Sequence, residues 1–228
     1  MIKRTLSLSD VFMILINLIP LWGVWFDGWE PKQMFMIYCA ESIIVGLFTV
    51  LKMLIVTQIK KKDIWENNGT QTMVSGYFFI LFFILHYGFF VSIQLAFFFN
   101  ASGLLHSMNP IRILLAFPSL MDSYTKGLLL GFIAVYALLM LKDFIFTGEF
   151  RTVSLGKLMF SPYMRIFVQQ FAVITGVIFL SFGGGKIFML IFVSVKIFFE
   201  VFVNYERMLN LAEKRQRIRE KINQSGKQ

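Results

Sequence analysis

The sequence predicts an all-α protein, a polytopic transmembrane helical bundle of about six spans with both termini cytoplasmic. Three observations carry that expectation. The chain is 57% hydrophobic and only 15% charged, with 28 phenylalanines and a mean hydropathy of +0.70, whereas a soluble domain carries about a quarter charged residues. Six stretches approach the roughly 20 apolar residues that a helix needs to cross a bilayer. Basic residues also gather on one side of those stretches, as the positive-inside rule requires.

The stretches are 9–26, 34–58, 75–99, 124–146, 165–182 and 187–206. The first follows Lys3 and Arg4 and has no small-residue cleavage site after it, so it reads as a retained span and not a signal peptide. Within it, Asn17 precedes Pro20 by three residues and is placed to bond backbone groups that the proline frees. Trp22, Trp25 and Trp29 mark its outer interface, and Trp65 marks the inner connection after span two. Span two holds the lone Cys39, a packed small hydrophobe by its surroundings. One cysteine excludes an internal disulfide. The Asn-Gly-Thr at 68–70 matches a glycosylation acceptor but falls on the expected cytoplasmic side. The stretch 111–121 is too short to span and contains Pro118, which suits a re-entrant or interfacial segment. Span four ends in Lys142 and Asp143 at the inner headgroups, and "SFGGGK" at 181–186 reads as a tight outer turn lacking the rest of a phosphate loop.

With this layout fifteen basic residues lie on one side and three (Lys32, Arg112 and Lys186) on the other. An even number of spans and cytoplasmic termini follow. The net charge of +9 then reflects membrane orientation, and nucleic acid is not an expected partner. The expected organisation is a transmembrane domain over 1–206 and a basic cytoplasmic tail over 207–228. The expected partners are membrane lipids, with anionic headgroups at the tail; homo-oligomerisation is left open. The implied localisation is the inner cell membrane.

Polar residues inside the spans carry the functional expectation, because a charge at the bilayer centre costs about 2.5–3.5 kcal/mol even on the lenient scale. At a helical rise of about 1.5 Å, Glu41 lies roughly 10–12 Å below the outer end of span two, with Gln94 a little shallower on span three. By the same rise His86, Lys196 and Glu200 lie roughly 15–20 Å deep. Lys196 and Glu200 are i and i+4 and share a helix face. Glu41, His86, Gln94, Lys196 and Glu200 are therefore the candidate intramembrane cluster, supplemented by Gln169 and Gln170 on span five. Lys52 reaches the inner interface by snorkelling. Three readings stay open: a transport or channel-like path for a proton, ion or small solute; an intramembrane enzyme, metal-dependent in one version, with Glu41, His86 and Glu200 as ligands or acid–base groups; and a structural or accessory subunit whose polar residues direct packing. No Ser-His-Asp order and no H-E-x-x-H occurs, and the sequence specifies no cofactor.

"NLIPLWGVWFDGW", "YCAESIIVGLFTVLKM" and "HYGFF" together resemble a family of uncharacterised bacterial and archaeal multi-pass membrane proteins. "PYMRIFVQQFAVITG" and "KIFFEVFVN" resemble it more loosely. The resemblance implies the multi-pass architecture and no activity. The family pattern has Tyr-Trp-x-Glu where this chain has Tyr38, Cys39, Ala40 and Glu41. It has a histidine where Gln94 stands, and further acids and histidines near Gln169, Glu200 and Asn204. The amides among these are poor transition-metal ligands.

Overall fold

The computed structural model describes residues 6–67, 70–106 and 109–202. The tail expected at 207–228 lies outside the described residues. The protein is an all-α helical bundle, and among the described residues four helices are long and apolar enough to cross a membrane.

Helix α1 (Leu8–Phe26) begins with a capping box. Ser7 Oγ accepts from Asp10 N–H at 3.2 Å, and Asp10 Oδ2 accepts from Ser7 N–H at 2.8 Å, satisfying donors that a helix start leaves orphaned. After Gly28, with φ +70°, the chain doubles back. A Cβ on Gly23 would lie 2.1 Å from the Trp29 ring, so only glycine lets that indole lie across α1.

Helix α2 (Pro31–Lys60) opens with proline at its first position, where the missing N–H costs nothing. Its 30 residues reach about 45 Å, longer than a hydrocarbon core of about 30 Å. From Met34 to Ser42 every residue is buried. More than two consecutive turns without an exposed face make α2 the axis around which the bundle packs. Helix α3 (Gly76–Ser102) returns antiparallel to it, and a Cβ on Gly46 of α2 would fall 2.7 Å from the Tyr87 ring of α3.

Between α2 and α3 the structure has an element absent from the sequence expectation, a hairpin of strands β1 (Lys62–Asn67) and β2 (Thr70–Ser75) paired from Lys62↔Ser75 to Asn67↔Thr70. Trp65 packs on Phe78, Phe79 and Phe82 at 5.4–5.5 Å, seating the hairpin on the base of α3.

Helix α4 (Pro110–Leu120) is the short segment containing Pro118; Phe117 packs on Phe99 of α3 at 5.5 Å. Helix α5 (Ser123–Leu139) continues as a π-helical turn, Met140–Ile145. The short helix α6 (Leu155–Phe160) ties to the hairpin through Leu155 N–H donating to Asp63 Oδ2 at 2.6 Å. Helix α7 (Tyr163–Ser181) and helix α8 (Gly185–Ile197), which also ends in a π turn at Phe198–Phe202, complete the bundle. A Cβ on Gly176 would meet Phe188 at 2.4 Å, so these two helices touch closely.

Candidate functional site: a buried ion pair at the centre of the bundle

Glu41 on α2 and Lys196 on α8 are 0% and 2% exposed. Lys196 Nζ lies 2.8 Å from Glu41 Oε2 and 3.2 Å from Oε1, and donates to Asn17 Oδ1 of α1 at 2.5 Å. The Tyr38 ring centroid stands 5.3 Å from Nζ, within cation–π range. Glu41 Oε1 also accepts from Tyr136 Oη of α5 at 2.5 Å. Four helices thus supply one polar centre, and the ammonium and carboxylate are both met by opposite charge and hydrogen bonds, as their burial in a low dielectric demands.

Asn17 is held by bonds of its own and not by a group that Pro20 frees: the missing Pro20 N–H leaves the Ile16 carbonyl, four residues back, without its helical donor. The Asn17 carbonyl accepts from Tyr38 Oη at 2.8 Å, while its Nδ2 donates to Met13 O at 2.8 Å. With backbone and amide nitrogen so engaged, Oδ1 points at Lys196.

The opposite face of α2 carries a second, uncharged polar set at the same level. Ser42 Oγ donates to Gln169 Oε1, and Gln169 Nε2 donates to Tyr38 O at 2.8 Å. Tyr87 Oη donates to Ser42 O at 2.8 Å, and Gln170 Nε2 donates to Phe90 O at 3.2 Å. Gln94 is buried with its amide 3.8 Å from Cys39 Sγ, and its Oε1 has no hydrogen-bond partner among the described residues. These groups fasten α3 and α7 to α2 and to each other without charge.

The structure therefore brings Glu41 and Lys196 into contact and places Gln94 across α2 from them. His86 stands elsewhere, exposed, with Nδ1 2.6 Å from Tyr163 Oη and its ring against Phe82 and Phe90. The Glu200 side chain lies outside the described residues; among the described residues the carboxylate against Lys196 is that of Glu41. Among the described residues no three His, Cys, Asp or Glu side chains converge as a metal site would require.

Sequence reasoning left out Tyr136 and gave Tyr38 no place beyond the family pattern. Their signal is position: tyrosines favour the two membrane interfaces, so one in mid-span, as in "AVYALLM", needs a polar partner in the interior.

No curated protein and no solved structure matches the chain. Residues 2–223, nearly the whole chain, match the model of a family of unknown function, DUF6498, and the protein belongs to that family.

Proposed function

We propose that this is a six-span inner-membrane protein, termini cytoplasmic, that moves a proton, ion or small solute through its polar centre. In this reading α7 and the continuous α8–π segment join α1, α2, α3 and α5 as spans, and the asymmetry of basic residues sets the orientation. The single observation that carries the transport reading is the ion pair. A charge pair held amid apolar helices by side chains from α1, α2, α5 and α8 is costly, and intramembrane ionisable groups commonly mark ion or proton pathways. Purified protein reconstituted into vesicles with an internal pH dye and imposed H⁺, Na⁺ or K⁺ gradients tests it. Wild type should dissipate at least one gradient, and Glu41→Gln should abolish that flux.

The hydrogen bonds from Gln169 and Tyr87 to α2 carbonyls favour one second reading, a purely structural lock. Under it, replacing both Glu41 and Lys196 with methionine would preserve stability and cellular function alike. The intramembrane enzyme with Glu41, His86 and Glu200 has less support, because His86 is engaged by Tyr163.

A further inference from the structure

We propose that the seam between α1 and α5 is the route by which protons reach Glu41 from the side where α1 begins. This rests on the transport reading above and narrows its transported species to the proton. Both Glu41 oxygens are already met by Lys196 Nζ, and Oε1 by Tyr136 Oη as well. A metal cation would have to displace Lys196 Nζ and Tyr136 Oη from those oxygens to be coordinated by them. A proton needs no such space. Uptake converts the Glu41 carboxylate and hydronium to the carboxylic acid and water, while Lys196 stays an ammonium held by Asn17 and the Tyr38 ring. Release is the reverse.

The seam has polar groups at both ends. At its centre stand Asn17 and Tyr136. At the start of α1, Lys142 Nζ donates to Ser9 Oγ at 2.7 Å, Ser9 Oγ donates to Asp143 Oδ2 at 2.7 Å, and Lys142 Nζ lies 3.4 Å from Asp143 Oδ1. Those two charged side chains are 43% and 49% exposed, which suits the inner headgroup position that the sequence leads one to expect for them. Ser9 precedes Asn17 by about two helical turns, roughly 12 Å along one face of α1, and Asp143 follows Tyr136 by seven residues along α5 and its π turn. About one turn from the centre on each helix lie Met13 and Met140, unbranched side chains that can move aside. α5 also changes from α to π geometry at Met140, a distortion that recurs at functional sites. The groups facing Glu41 are Lys196 from α8, Tyr136 from α5, Asn17 from α1 and Tyr38 of its own helix. Those facing Asp143 are Ser9 and Lys142, with Lys52 of α2 over the adjacent Phe144 ring at 5.4 Å.

The test uses the full chain in vesicles with Cys39 replaced by serine. Single cysteines are placed at Met13, at Met140 and, as a control, at exposed Leu130 on α5. A membrane-impermeant thiol reagent that reacts only with the hydrated thiolate is added from the side where α1 begins. Cysteines at 13 and 140 should be modified and the one at 130 spared. Asp143→Asn, at the exposed end where folding is least at risk, should slow proton flux several-fold. Cysteines at 13 and 140 as inert as that at 130, or unchanged flux in Asp143→Asn, would overturn the route while leaving transport standing. Vesicles that pass Na⁺ or K⁺ but no protons overturn the proton assignment alone, and vesicles that pass none of the three overturn both it and the transport reading.

Discussion

Replacing Glu41 with glutamine probes the centre most directly. The amide keeps an oxygen that can accept from Tyr136, so shape and one hydrogen bond survive. What changes is the atom 2.8 Å from Lys196 Nζ, where a carboxylate oxygen gives way either to an N–H donor facing an ammonium or to a neutral oxygen. Of the contacts described above, Lys196 then keeps the Asn17 oxygen and the Tyr38 ring and loses the Glu41 charge. Removing one partner of a buried pair costs about 3–5 kcal/mol. For a chain of this size each kcal/mol moves Tm by roughly 2–4 °C, so Tm in detergent should fall by about 10 °C. Lys196→Met should fall similarly, since it strands the Glu41 carboxylate beside Tyr136. The double Glu41→Met, Lys196→Met variant should recover most of the loss, because an apolar pair of similar volume needs no desolvation compensation. The assay is thermal unfolding followed by tryptophan fluorescence, with all four proteins in one detergent. Single variants within 2 °C of wild type, or a double variant no better than the singles, would refute the argument that the two charges depend on each other.

Further outcomes follow from the packing and the topology. Gly46→Val puts a side chain where a Cβ already lies 2.7 Å from the buried Tyr87 ring, and overpacking of that kind costs about 1–3 kcal/mol; an unchanged Tm would mean that α2 and α3 do not approach so closely. His86→Phe keeps the stacking on Phe82 and Phe90 and removes only the Tyr163 hydrogen bond, so unfolding should shift by less than about 1 kcal/mol. A larger loss would give His86 a role in the bundle that its exposed position does not suggest. Reporter fusions after residues 65 and 228 should read cytoplasmic and one after 105 external, and a cytoplasmic signal at 105 would remove the six-span topology.

The all-α class was legible because the length and apolarity of a helix that meets lipid are local properties of the chain. Five of the apolar stretches coincide to within a few residues with α1, α2, α3, α5 with its π turn, and α7; the sixth, 187–206, takes in α8 and the π turn to Phe202 and runs past the described residues, and 111–121 coincides with the short α4. The hairpin left a readable trace in the Asn-Gly dipeptide at 68–69, which favours two-residue hairpin turns, but its strands are too short for alternation to stand out. Position along the helix was equally legible, since a count of residues puts Glu41, His86 and Lys196 away from the ends of the expected spans. Rotation about the helix axis was not. Lys196 has one carboxylate four residues along its own helix, Glu200, and another 155 residues away, Glu41. Nothing in the local sequence says which way α8 turns. His86 lies at a suitable depth but on a face of α3 that meets Tyr163, and Tyr136 has no charge to advertise it. By itself the sequence determined which segments are helices and which polar groups had to be compensated, because burial energy is a property of the residue and its span. Only the tertiary structure decided which groups compensate each other, because partner choice depends on how six helices are rotated and packed around α2.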